Sequence, residues 1–401
     1  MRFIILSVVW SIVLFSCAGK TEQVKAKYVF YFIGDGMGVN QVIGTEMYLA
    51  ELEGRIGTKS LSFTSFPVRN YVTTYSGTNA VTCSAAAGTA LATGTKTQNG
   101  RIGMRQDSSF LYSIAWRAKQ AGKAVGVTTS VAINHATPAV FYAHQPDRQM
   151  YYEIGTDAAK AGFDFYGGAG WKQVFSPHDS SEIDLYSLLR DSGYVIIDHR
   201  RDFLALSTGA GKVVYVQPED CVNPSSLPAA IDRKEGDLTL ADITRKAIQF
   251  LSARNEDGFF LMVEGGIIDW LCHANDGAAA FREVVDFSEA IQVALDFYKA
   301  HPDETLIIVT ADHETGGLAL GNGPYELSLK LLANQKSSII GLTQKLKQLK
   351  KSKGKNLTYP NLQELFKQEC GFGAAVKLSP EEEQLLESEG IKMIRSNSSQ
   401  L

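Results

Sequence analysis

Short apolar runs, each closed by a polar turn and flanked by a helix-like amphipathic stretch, set the rhythm of this chain. Tyr28 to Ile33 is such a run; it ends at Gly34-Asp35-Gly36 and is followed by a helical pattern from Val39 to Leu52. The theme recurs with Ala124 to Thr129 after Ser109 to Ala121, Phe259 to Val263 after Leu238 to Ala253, and Thr305 to Thr310 after Phe281 to Ala300. Runs apolar throughout, rather than alternating, read as strands buried on both faces, the habit of parallel sheets. Strands alternating with helices predict an α/β protein with a mainly parallel central sheet. Trp171 to Asp237 lacks the pattern and is expected to elaborate one sheet edge irregularly. After Gly317 the character changes: Leu327 to Lys355 is lysine-rich and helix-like, and Leu378 to Glu389 reads as a helix with Ser379 at its N-cap and Pro380 at N1.

In such a sheet ligands gather at the carboxyl ends of the strands. Asp35, Glu264, Asp312 and His313 all fall at or just past the end of an apolar run. Thr82 to Ala90 places Ser84 before a run of small residues, which suits a helix N-terminus packed close to an anion. Two readings stay open for it: a nucleophile, or the N-cap of a buried helix. Asp269 and His273 are four apart, so one helix face carries both and can offer them to one metal ion. Asp312 and His313 are adjacent and converge only if a turn aims both at one point.

The 401 residues suffice for one or two domains, and 45% hydrophobic content fits a globular protein rather than a polytopic membrane protein. A net charge of −4 gives no reason to expect nucleic acid as a partner. Arg2, the apolar stretch Phe3 to Phe15 and the segment Leu14-Phe15-Ser16-Cys17 resemble a bacterial lipoprotein signal. That reading makes residues 1–17 a signal peptide, Cys17 the lipidated residue, and the mature protein an exported one, lipid-anchored in the cell envelope at the periplasmic or outer-membrane surface. An ordinary cleaved signal and an uncleaved anchor are the alternatives. Cys83, Cys221, Cys272 and Cys370 show no spacing that assigns a disulfide, and Cys83 and Cys272 read as small packing residues.

Six motifs in order carry a resemblance to the alkaline phosphatase family: Gly34 to Gly38, Thr82 to Ala90, His135-Ala136-Thr137-Pro138-Ala139, Ala143-His144 with Arg148, Glu264 to His273, and Asp312 to Gly317. The resemblance runs from about Tyr28 to Gly317 and implies a three-layer sandwich over residues 18–323. It implies a phosphomonoesterase in which Ser84 forms a phosphoserine and Arg148 grips the phosphate, with phosphate monoesters and inorganic phosphate as partners. It also implies two Zn2+ sites and one Mg2+ site. Asp35, Asp312 and His313 would hold one zinc, Asp269 and His273 the other, and Asp35, Thr137 and Glu264 an oxygen-only magnesium site. A homodimer is left open.

The sequence departs from the family pattern in places. Cys83 stands where the family has an aspartate that orients the arginine, so Arg148 is expected to be more mobile. His135 and Trp270 fall at positions that vary within the family; the histidine is expected to reach the magnesium site through water, and Trp270 to shape the phosphate pocket or merely pack. No histidine follows His313 to supply the family's third ligand to the Asp269/His273 zinc. Residues 324–401 resemble the helical insert that precedes that ligand, and the chain is expected to stop inside it; replacement by His178 or His199 is the competing explanation. The alternative functions are a catalytically inactive, tethered phosphate- or metal-binding module, and a related phosphodiesterase or sulfatase.

Overall fold

The computed structural model describes residues 26–179, 181–217, 225–321, 323 and 325–395. The signal-like segment, with Cys17, and Cys221 lie outside them. Seven strands form one sheet: β1 (Tyr28–Gly34), β2 (Ala124–Thr129), β3 (Phe165–Gly168), β4 (Tyr194–Ile197), β5 (Lys212–Val216), β6 (Phe259–Gly265) and β7 (Thr305–Ala311). Their order is β4-β5-β3-β2-β6-β1-β7, and every pairing is parallel. Side chains leave successive residues of a strand on opposite faces. Phe30 and Phe32 therefore join one apolar layer, with Leu261 and Val263, while Tyr31 and Ile33 join the other, with Phe260 and Met262.

Helices cover both layers. Leu240–Arg254 and Gly277–Ala300 pack on the first, the helices Ser84–Thr93, Ile114–Gln120, Tyr151–Ala161 and Leu185–Asp191 on the second. The result is a three-layer α/β sandwich. Local signals set the helix starts: Thr239 and Asp242 form a reciprocal capping box, and Asp276 caps Gly277–Ala300 through the Ala279 N–H. Among the described residues no helix is long and apolar enough to cross a membrane.

Register places the site. Ile33 lies opposite Glu264 in β6, and Gly34 lies opposite Ala311 in β7. Asp35, Glu264 and Asp312 thus emerge at one level of the sheet rim.

Two expectations need correcting. The stretch Trp171 to Asp237 does elaborate one edge of the sheet, but with two regular strands, β4 and β5, rather than irregularly. Both strands are only four or five residues long and interrupted by turns, so no periodic signal accumulates. The helical pattern from Ser109 begins only at Ile114, where Ser113 caps the helix through the Trp116 N–H. At the C-terminal end, Ile339–Lys353, Tyr359–Cys370 and Pro380–Arg395 surround a small apolar cluster of their own, including Leu346, Leu362 and Phe366. Ser379 does cap the last helix: its hydroxyl accepts from the Glu382 N–H, and Glu382 accepts from the Ser379 N–H.

Candidate active site

Ser84 is the first residue of its helix, and Cys83, in extended backbone, is the N-cap. The serine is therefore not a cap. Its Oγ stands 3.3 Å from His313 Nε2, across 229 residues of sequence. His313 Nε2 is in turn 3.6 Å from Asp35 Oδ1 and 3.4 Å from Asp312 Oδ2, so the turn after β7 does aim both Asp312 and His313 at one point. The imidazole is oriented by its other nitrogen, which lies 3.1 Å from the Glu314 carbonyl and 3.1 Å from Thr315 Oγ1. A carbonyl can only accept, so Nδ1 carries the proton and Nε2 presents a lone pair to the cluster.

Ligand atoms of Asp35, Asp312 and His313 lie within 4.8 Å of one another, and so do those of Asp35, His135 and Glu264. Asp35 belongs to both groups. Its Oδ2 accepts from Thr137 Oγ1 at 3.1 Å, and Glu264 Oε2 accepts from the Thr129 hydroxyl. Asp312 Oδ1 is held by the N–H groups of Gly36 (3.0 Å) and His313 (2.9 Å). Gly36 is irreplaceable there: its φ is +66°, and a Cβ would sit 2.7 Å from Thr315 Oγ1 and 2.9 Å from Asp269 Oδ1.

The remaining oxygens decide what the cluster is for. Asp35 Oδ1, Glu264 Oε1 and Asp312 Oδ2 are buried with no hydrogen-bond partner among the described residues. Burial, reinforced by the neighbouring Asp312 and Asp269, holds the Asp35 carboxyl well above the usual range; burial and Asp35 do the same to Glu264, and burial with Asp269 and Glu264 lifts Asp312 to about 7. Orphaned acid oxygens facing one another in a buried pocket call for a cation. The residues present fit a metal site. The Asp35/Asp312/His313 set, mixing oxygen and nitrogen, suits zinc. Around Glu264 an imidazole stands beside the expected oxygen-only set, with a His135 nitrogen within 4.8 Å of the Asp35 and Glu264 ligand atoms. Burial, then the charges of Arg148 and Lys172, keep that imidazole neutral.

The Arg148 guanidinium lies 3.2 Å from His135 Nε2. Cys83 takes no part in this and accepts the Gly100 N–H at 3.1 Å. Trp270 meets the His135 ring edge-on, with centroids 5.8 Å apart. Cys272 is buried, its thiol pushed up to about 11 by desolvation, consistent with packing rather than reactivity. Among the described residues, Cys83, Cys272 and Cys370 form no disulfide.

Asp269 and His273 make a thinner site. They share the helix Ile267–His273 with 3.5 Å between Asp269 Oδ1 and His273 Nε2, but the His273 side chain is 71% exposed. Among the described residues no third histidine, cysteine or acid joins them as a metal-ligand group. His178 and His199 do not fill the gap; they are exposed, beside Glu153 and Asp198 respectively. The sequence did not flag Thr315, whose hydroxyl donates to Asp269 Oδ1 at 2.6 Å and so links this pair to His313. Nor did it flag Gln41, which is fully buried and donates to the Thr315 carbonyl at 2.8 Å. A glutamine or threonine in a helix or turn gives no sequence signal of such a partner.

Comparison with known proteins agrees with this fold. Alkaline phosphatase 3 of Bacillus subtilis is 35% identical over 310 residues, covering 75% of this chain and 64% of its own length; the chain thus spans less than two thirds of that relative. The crystal structure of a cold-active alkaline phosphatase from a psychrophilic Shewanella matches with a TM-score of 0.77 at 31% identity, covering 92% of this chain and 85% of that one. A variant of the TAB5 alkaline phosphatase with Mg bound in its M3 site matches with a TM-score of 0.63 at 32% identity, over 73% of this chain and 79% of that one. The family model described as alkaline phosphatase matches residues 26–166 and 182–386, and on that extent the chain belongs to the alkaline phosphatase family.

Proposed function

We propose that this protein hydrolyses phosphate monoesters through a phosphoserine on Ser84. The observation that carries the reading is the Ser84 hydroxyl at the N-terminus of a helix, 3.3 Å from His313 Nε2 and beside buried acids that, among the described residues, each have one oxygen without a donor. Asp35, Asp312 and His313 would hold a zinc ion, and Asp35, Glu264, Thr137 and His135 a second cation; the TAB5 variant that binds Mg has an aspartate in place of a histidine, which supports magnesium for an oxygen-rich set. When bound, such cations supply Lewis-acid charge that favours an ionised hydroxyl and offsets phosphate charge.

Ser84 Oγ gives up its proton and attacks phosphorus; the serine O–P bond forms, the P–O bond to the alcohol breaks, and the departing oxygen takes up a proton from solvent. Water then cleaves the serine ester and frees inorganic phosphate. N–H groups of the first turn of Ser84–Thr93 lack intrahelical partners and face the anion. Arg148, braced on His135, takes two phosphate oxygens in its planar fork. Recognition centred on the phosphoryl group makes the alcohol portion permissive.

A second reading, a phosphate- or metal-binding module without turnover, draws on the two-residue pair Asp269/His273, one short of the three protein ligands usual in a catalytic zinc site. The test is nitrophenyl phosphate turnover alongside metal content. Turnover lost by at least about a thousandfold in Ser84→Ala supports the hydrolase; bound metal and phosphate with no turnover leaves the module. The Leu14-Phe15-Ser16-Cys17 motif supports an exported lipoprotein; a Cys17→Ser chain that still fractionates with membranes would refute lipid attachment at that residue.

A further inference from the structure

One cation near the phosphoryl pocket has no role in the scheme above. Lys172 lies outside every motif that marked the site, in the loop after β3. Its backbone is fastened to the site: the Lys172 N–H donates to Asn134 Oδ1 at 2.9 Å, and Asn134 Nδ2 donates back to the Lys172 carbonyl at 2.8 Å. The same Asn134 Nδ2 lies 2.8 Å from the Tyr151 carbonyl, and Asn134 is fully buried and immediately precedes His135. A further bond, from the Ile133 N–H to the Gly170 carbonyl (2.8 Å), ties the two loops together.

This clamp sets the lysine stem against two rings. Its Nζ stands 4.9 Å from the Tyr151 centroid and 5.6 Å from that of Trp270. Rings of this kind hold a cation without neutralising it. Among the described residues no carboxylate pairs with the ammonium and no hydrogen bond occupies it. The contrast with Lys119, 2.7 Å from Asp164, and Lys345, 2.7 Å from Glu369, is plain. Trp270 is also the ring that meets His135, and His135 is the group that braces Arg148. Arg148 thus touches this imidazole directly and Lys172 connects to it through the Trp270 ring, the first assigned to the phosphate fork and the second without a carboxylate partner among the described residues.

We propose that Lys172 is a positioning residue for the anion: a charge held on the Tyr151 and Trp270 rings that draws phosphate and phosphate monoesters into the pocket beside Arg148. The inference rests on the phosphoryl-site reading above. It places the electrostatic contribution in capture rather than in bond breaking, since the ammonium is fixed in advance and needs no rearrangement as the ester is cleaved.

Direct binding separates this from turnover. The metal-loaded protein is titrated calorimetrically with inorganic phosphate as wild type, Lys172→Met and Lys172→Arg. Methionine keeps the apolar stem on the rings and removes the charge. Phosphate Kd is expected to rise about fivefold in Lys172→Met and to return to within about twofold of wild type in Lys172→Arg. In nitrophenyl phosphate assays the loss falls on KM rather than kcat, and the fall of kcat/KM with ionic strength becomes shallower. Equal Kd in wild type and Lys172→Met overturns the proposal, as does a Lys172→Arg that binds no better than Lys172→Met, because the stem rather than the charge would then matter. A wild type that binds no phosphate overturns it too. A wild type that binds phosphate but fails to hydrolyse the ester refutes the hydrolase reading alone, and the Kd comparison still judges Lys172.

Discussion

The buried cluster around Asp35 and the open pair Asp269/His273 lie side by side, yet they are built on opposite terms. In the first, side chains from three strand ends, a short helix and a turn converge, and one oxygen of each acid has no donor among the described residues. In the second, two residues of one short helix share a face, one of them mostly in solvent. The buried cluster is assembled by the whole sheet and is poor company for protons or water; the open pair is local and already satisfied in part by Thr315. A cation should therefore bind the first as an obligate component and the second as an exchangeable one.

Asp35→Ala is the most damaging way to test that contrast, because Asp35 is common to both buried ligand groups. Metal analysis should show both buried equivalents lost, with turnover down by at least about a thousandfold. Retention of either equivalent would mean that the two groups do not share a ligand. His273→Ala should cost about tenfold in turnover and remove only the readily exchanged metal, leaving the content of the buried cluster intact. Thr315→Val keeps the volume but breaks the link from His313 to Asp269; about a fivefold fall in kcat/KM, with metal weakened at both regions, is expected from steady-state kinetics and chelator titration.

The smallest effect is sought in a buried acid away from the site. Glu283 accepts the Ala230 N–H, beside Arg233, which pairs with Asp286. Burial, with Asp286 adding to it, raises Glu283 from 4.5 to about 8. Between those values the folded chain keeps a proton that the unfolded chain has released, so stability falls as pH rises through this window. Glu283→Gln should flatten the change in Tm between about pH 5 and pH 8, leaving metal content untouched. An unchanged slope would show that Glu283 is ionised in the folded protein and that burial alone does not set the behaviour of the cluster acids.

The sequence made the site legible to the extent that its residues sit at the ends of long apolar strands or at helical spacing. Asp35, Glu264, Asp312 and His313 were visible because β1, β6 and β7 are seven-residue runs with clear ends. Ser84 was visible from its small neighbours, but not as a residue past the cap. β3, β4 and β5 were missed because four or five residues cannot establish a period. Thr129, Thr315, Gln41 and Asn134 were missed for another reason. Each acts through one hydrogen bond or a few, to groups far away in the chain, and a neutral polar side chain carries no charge pattern that points to a distant partner.

The unshifted alignment of β1 with its two neighbours has a consequence for how the protein comes into being. Gly36 and Asp312 touch across 276 positions of chain, so only a polypeptide that runs from Asp35 to His313 holds the whole ion cage. A slip by one residue in either pairing would turn an acid to the opposite face of the sheet. The cage therefore acts as a gauge of correct assembly: a cation that fits it rewards only the properly threaded sheet, and recovery of bound metal during refolding should trail the pairing of the outermost strand.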